Sequence, residues 1–171
     1  MKKEINVFDY AGRICEAMKK GILITTRDGE KANTMTIGWG TLGIEWGKPI
    51  FVAYVRESRY TRELLDRTGE FTVNIPLEAA DPEILRLCGT KSGRDMDKFA
   101  ALGLTAEEPE LISAPGIRQL PLTLECKVIF RNVQEENRLP EAIQQRYYSA
   151  INAKDFHIAY YGEILKAYVI E

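Results

Sequence analysis

The Asp28-Gly29 pair constrains this chain more than any other feature, because it sits between two β-forming runs, Gly21 to Thr26 and Ala32 to Gly38. The favoured two-residue hairpin turn needs positive φ, which Asp-Gly supplies, so residues 21–26 and 32–38 are expected to pair as antiparallel strands. Later segments keep that rhythm. Residues 50–55 (Ile-Phe-Val-Ala-Tyr-Val) form a continuous apolar run of strand length, and Phe71-Thr72-Val73-Asn74-Ile75 alternates until Pro76 stops it. Leu122 to Val133 alternates for longest, and Phe156 to Ile170 reads as a strand with a bulge at Gly162. Glycines at 38, 40, 43 and 47 argue against a strand over 39–47, and for a bulged segment whose backbone approaches a ligand or a second subunit.

Short helices are expected between these runs. Residues 15–20 make one. Ser58 stands where an N-cap belongs, Tyr60, Leu64 and Leu65 give an apolar stripe, and Gly69 falls at C′, which predicts a helix over 59–68. Asp81-Pro82 opens another that ends at Cys88-Gly89. Asp95 is the expected cap of a third, reaching Leu102 and burying Met96, Phe99 and Ala100, and residues 140–150 give a fourth. No βαβ rhythm appears, and Gly38-x-Gly40-x-x-Gly43 is not followed by a helix, so it is not a dinucleotide fingerprint. Five or six antiparallel strands with short helices predict a mainly β fold, a small β-barrel with helical insertions. At 171 residues and 45% hydrophobic content, residues 1–171 are expected to form one domain.

Composition narrows the function. Lysine and arginine number 23 against 25 acidic residues, without a basic block, so nucleic acid is not an expected partner. Met1 to Asn6 lacks the apolar core of a signal peptide, and the apolar run at 49–55 is too short to cross a bilayer. A cytoplasmic protein without membrane association is expected. Three dispersed cysteines and a single histidine, His157, give no metal-ligand spacing, so no metal is expected.

Residues 32–60 read as a site for a flat, phosphorylated ligand. A helix opening at Ser58 would offer free N–H groups and a positive dipole end, with Arg56 and Arg59 adding forked donors and Thr61 a hydroxyl. The same pattern also suits a capped surface helix with solvated arginines. Asn33-Thr34-Met35-Thr36 puts Asn33 and Met35 on one strand face and Thr34 and Thr36 on the other. Lys91-Ser92-Gly93-Arg94 suits a flap over a ligand or an ordinary solvated loop; it is not a P-loop, since Arg86 stands where the upstream glycine would be. Cys88, at a negative helix end, is discounted as a nucleophile. His157 has no catalytic partner nearby in sequence, which favours a structural role.

Five segments together resemble the flavin reductase-like family of FMN-binding split β-barrels, and its flavoredoxin branch in particular. They are Asn33 to Gly40, Tyr54 to Thr61, Phe71 to Pro76, Cys88 to Phe99 and His157 to Ile164. The resemblance implies a Greek-key split barrel, a homodimer, and non-covalent FMN near the subunit interface. It implies Arg56, Ser58, Arg59 and Thr61 near the ribityl phosphate, and Asn33, Thr34, Met35 and Thr36 along the ring. Gly89, Lys91 and Ser92 would close over the cofactor, with His157 on the nicotinamide side. The implied activity is hydride transfer from NADH or NADPH to the flavin. The alternative is a flavoredoxin-type carrier that passes electrons to a redox protein partner, and a third is a flavin-binding barrel without turnover.

Overall fold

The computed structural model describes residues 1–149 and 153–171. In chain order its elements are β1 (Lys2–Glu4), α1 (Ala11–Lys20), β2 (Ile22–Asp28), β3 (Lys31–Ile37), β4 (Gly40–Glu45), β5 (Lys48–Arg56), α2 (Tyr60–Thr68), β6 (Glu70–Ile75), α3 (Pro82–Thr90), α4 (Lys98–Leu102), β7 (Ala106–Glu107), β8 (Gly116–Ile117), β9 (Leu122–Val133), α5 (Glu141–Tyr147) and β10 (His157–Ile170). Eight strands form one antiparallel sheet in the order β3-β2-β6-β9-β10-β5-β4, with β1 also on β10, and β7 and β8 pair separately. The described residues hold more strands than the five or six expected, with β4 and β1 added to the main sheet and β7 and β8 apart from it. Three-residue β1 and two-residue β7 and β8 are too short to show a period in sequence.

The early hairpin forms, with Ile22↔Ile37 through Asp28↔Lys31 in register. Its turn lies one residue later than expected: Asp28 stays in the ladder, the connection is Gly29-Glu30, and of that pair only Gly29 has positive φ, at 58°. β10 is the spine, pairing with β9, β5 and β1. Its register against β9 shifts at Tyr161/Gly162, as Gly162 suggested, and again between Ile164 and Lys166.

Residues 40–45 are a strand, not the bulged segment expected from their glycines. β4 lies at the sheet edge on β5, where a weakened ladder is tolerated. Close approach does hold at Gly40, where a Cβ would meet the Phe51 ring at 2.8 Å and Met18 Sδ at 3.0 Å. The β4–β5 turn is Trp46-Gly47, and both residues have positive φ.

The sheet curls so that β3 approaches β5, and the inner face closes over one core of Ile24, Met35, Phe51, Val55, Phe71, Val73, Leu124 and Tyr160. The outer face of β2, β6 and β9 is buried too, but polar. Thr72 donates to Pro115 O, Asn74 Oδ1 accepts the Ile117 N–H, and the Glu125 carboxylate accepts from the Glu110 and Leu111 amides. These bonds hold the 103–121 stretch across the sheet, which satisfies polar groups that would be costly to bury unpaired. α3 and α4 pack beside it on Leu23, Ile84, Cys88 and Leu104.

Several helix ends differ from expectation, and α1 starts at Ala11, four residues before the expected Cys15. Arg59, not Ser58, is the N-cap of α2 and makes no side-chain cap bond, because Ser58 is engaged elsewhere. α3 runs through Gly89 to Thr90, since Gly89 lets the helix press on β3, where a Cβ would lie 3.4 Å from Thr36 Cβ. Asp97 rather than Asp95 caps α4, with its carboxylate accepting from Ala100 N–H; Ala100 is exposed and the buried residue of that helix is Lys98. The helix expected over 140–150 is α5, and Ala150 lies outside the described residues.

Candidate functional site

The start of α2, the outer edge of β3 and the turn between α3 and α4 meet at one end of the barrel. They enclose a cavity of about 90 Å³ lined by Asn33, Met35, Arg59, Thr61, Lys91, Ser92 and Lys98, among others. Four cations line it, with Arg94 the fourth, and no carboxylate does. Arg94 is paired with Glu63. Arg59, Lys91 and Lys98 have no carboxylate partner among the described residues.

Lys98 is the residue that sequence reasoning missed. It is 4% exposed, and its ammonium donates to Thr34 O at 2.8 Å and Cys88 O at 3.0 Å. Burial lowers its pKa, which a nearby anion would reverse. The available signal was the Asp97 cap, which sets Lys98 at the first position of a five-residue helix and turns it inward. Cys88 is buried beside it, and burial pushes the thiol up to about 11, so it stays protonated at neutral pH.

A neighbouring cavity of about 160 Å³ shares Met35 and Arg59 with the first, and adds Thr36, Gly38, Trp39, Tyr54, Arg56 and His157. Its wall is glycine backbone and aromatic rings, with Trp39 tilted over His157 at 4.7 Å. His157 Nδ1 lies 2.7 Å from Tyr148 OH. Burial first, and then the Arg56 guanidinium, depress the imidazole to about 4, so it is neutral at physiological pH.

The other expected residues are divided. Asn33 Nδ2 donates to Thr61 Oγ1 at 2.9 Å, fixing β3 to α2. Gly93 is pressed against that pair: a Cβ there would overlap the Asn33 amide oxygen and lie 3.0 Å from the Tyr60 ring. Lys91 lines the cation-rich cavity, as does Ser92, whose hydroxyl accepts the Arg94 N–H at 3.1 Å. Thr36 lines the second cavity and donates to Leu85 O. Thr34 lines neither; its hydroxyl lies between Thr25 and Ile24 O, and only its carbonyl faces the site, through Lys98. Gly89 lies within α3 and lines neither cavity.

Ser58 lines the cation-rich cavity and Arg56 the aromatic one, and both also hold another part of the chain. The guanidinium donates to Asp155 O at 2.7 Å and Tyr147 O at 3.2 Å and lies over the Tyr148 ring. Ser58 gives its amide and hydroxyl to the Asp155 carboxylate. Together they pin the approach to β10, and so His157, against β5. Among the described residues no group of three or more His, Cys, Asp or Glu could hold a metal, and no helix is long and apolar enough to cross a membrane.

The split antiparallel barrel thus carries a cationic cavity lined by no carboxylate beside one lined partly by aromatic rings, the two sharing Met35 and Arg59. Residues 18–171 match the Flavin reductase like domain, and the chain belongs to that family. It is 31% identical over 119 residues to the Escherichia coli protein YddH, described as uncharacterized, covering 67% of this chain and 62% of that protein. The chain thus spans less than two thirds of that relative's length. Among solved structures it is similar to the flavoredoxin of Desulfovibrio vulgaris (Miyazaki F), with TM-score 0.66, 25% identity and coverage of 88% of this chain and 69% of that one. The flavoredoxin from Methanosarcina acetivorans gives TM-score 0.65 and 27% identity, over 88% of this chain and 68% of that one.

Proposed function

We propose that the protein binds FMN across the two cavities and is an oxidoreductase that accepts a hydride from NADH or NADPH. The observation that carries this reading is the cationic cavity itself: Arg59, Lys91 and Lys98 gather at a helix start without a carboxylate. A phosphate monoester of about −1.5 to −2 charge suits that donor set. The second cavity offers a flat wall of Gly38 backbone, Trp39 and Tyr54, which suits a planar ring system. Flavin bound there supplies the redox chemistry.

The chain's own residues then bind and orient. Arg59 lines both cavities, and Lys98 brings a buried positive charge whose field favours anionic forms of a ligand. Asn33 and Thr61 fix the cradle, while Trp39 and Tyr54 exclude water from the ring side. No acid or base residue is needed for hydride transfer, which depends on alignment. A second reading, a flavoredoxin-type carrier with a redox protein partner, is favoured by likeness to two proteins of that name.

A homodimer and a cytoplasmic location belong to the same proposal. Support for the dimer is the apolar face on β4, β9 and β10: Ile44 is 71% and Trp46 58% exposed, and Trp46, Phe130 and Tyr161 form an aromatic cluster there.

The test compares FMN with riboflavin in wild type and Arg59→Ala by fluorescence titration. Losing one charge-assisted contact to phosphate should weaken FMN roughly ten- to a hundredfold and riboflavin less than about threefold. Equal losses remove the phosphate role. Oxidation of NADH or NADPH by the FMN-loaded protein separates the reductase from the carrier, which would instead accept electrons rapidly only from a reduced protein.

A further inference from the structure

The cation-rich cavity has a ring side and a solvent side. It shares Met35 and Arg59 with the aromatic cavity, so a flavin lying in the aromatic cavity would send its phosphate in from there. Of the lining residues only Ser58, Lys91 and Arg94 are exposed, and these frame the mouth towards solvent.

Arg94 spans that mouth. Its guanidinium pairs with the Glu63 carboxylate on α2, donates to Ser58 O at 3.4 Å and lies over the Tyr60 ring at 5.2 Å. The turn that carries it is pressed against the same wall: Gly93 is buried, and a Cβ there would overlap the Asn33 amide and lie 3.0 Å from the Tyr60 ring. Ser92 Oγ accepts the Arg94 N–H at 3.1 Å and Ser92 O accepts the Asp95 N–H at 3.2 Å, which keeps the turn tight. Arg94 is thus tied to a carboxylate, while Arg59, Lys91 and Lys98 remain for a ligand.

This donor set matches one kind of phosphate. A monoester presents three terminal oxygens and a charge of about −1.5 to −2, against three unpaired cations. A phosphorus esterified on both sides presents only two terminal oxygens and a single charge, and whatever it carries beyond has to leave through the mouth that Arg94 spans. The room inside is about 90 Å³, which at about 10–15 Å³ per water suits one phosphate with a few waters, and not a diphosphate with a second nucleoside.

We propose that the Arg94–Glu63 pair is a latch that makes the site selective for flavin ending in a phosphate monoester, FMN, over flavin whose phosphate is extended into a dinucleotide, FAD. This rests on the flavin reading above. Glu63 acts through Arg94 and is a positioning residue. The two side chains are 43% and 34% exposed, so the latch is screened by solvent and is weak enough to part. Selectivity of this kind comes from obstruction of the larger ligand as well as attraction of the smaller one.

The test measures Kd by calorimetry for FMN and FAD with wild type, Glu63→Gln and Arg94→Gln. The wild type should prefer FMN by at least about tenfold. An exposed ion pair together with a cation–π contact corresponds to about three- to thirtyfold in binding, so each variant should shrink the preference by that factor, Glu63→Gln through a gain for FAD. Both side chains reach solvent, so neither change disturbs the core. If Arg94 were only one more charge facing the phosphate, Arg94→Gln would weaken both flavins alike and leave the preference intact. A preference that survives in both variants overturns the proposal, and so does equal affinity of the wild type for FMN and FAD; either result leaves the flavin reading in place. Failure of the wild type to bind FMN removes that reading and the latch with it.

Discussion

Neutral, buried His157 makes the folded protein acid-sensitive by an amount that can be worked out. Its pKa is about 4 in the fold against 6.5 for the free side chain. Between those values the unfolded chain binds a proton that the folded one refuses, so stability is full above about pH 6.5 and falls as the pH drops towards 4. At about pH 4.5 the unfolded histidine is almost fully charged and the folded one mostly neutral, which at 1.36 kcal/mol per unit gives a loss of about 2.5 kcal/mol relative to about pH 7.5. The side chain is 6% exposed, so solvent screening reduces this little. Other groups titrate in the same range, so the assay is a difference: urea unfolding of wild type and His157→Gln at both pH values. Glutamine can still reach Tyr148 but cannot take up the proton. Wild type should lose about 2.5 kcal/mol more than His157→Gln over that interval. Parallel pH profiles would refute the argument, showing that the ring is either solvated or already charged in the fold.

Three further outcomes follow from close contacts and strain. Gly93→Ala places a methyl against Asn33 Cγ at 2.8 Å, which displaces the 91–95 turn; FMN affinity should fall at least about tenfold, read by fluorescence titration, while far-ultraviolet dichroism is unchanged. Gly162→Ala meets the Phe71 ring at 2.5 Å in the core, and urea unfolding should show a loss of about 1–3 kcal/mol, since neither ring nor backbone has room to yield. Trp46→Gly relieves a bulky residue held at φ 52° and removes the exposed indole. Monomer stability should hold while self-association, followed by sedimentation, weakens at least about tenfold; unchanged association would exclude this face as the interface.

Local chemistry made much of the fold legible. Twelve residues of clean alternation gave β9 its limits, Pro76 ended β6, Asp81-Pro82 opened α3, and Gly69 and Gly103 closed two helices, because each of these acts through its own backbone or its nearest neighbours. The cation-rich start of α2 was equally visible, and Arg59 and Thr61 do line the cavity. Glycine content misled at β4, where the decisive fact is an edge position in the sheet, and a sheet edge is defined by strands far away in sequence.

What the tertiary structure decided is which side chains are free. In sequence, Arg56, Ser58 and Arg59 are equivalent donors within four residues; in space all three line a cavity, but Arg56 and Ser58 give hydrogen bonds to Tyr147 and Asp155, about a hundred residues later, while Arg59 has no carboxylate partner among the described residues. Lys98 looks like a surface lysine in sequence and becomes a buried cation only when α4 folds onto the β3 carbonyl of Thr34. His157 reads as an isolated histidine until Tyr148 and Gln134 meet it across the ends of β9 and β10. Sequence determines backbone preference because φ and ψ answer to neighbours in the chain. Charge state, tautomer and availability answer to desolvation and to hydrogen-bond partners, which exist only once distant segments have packed.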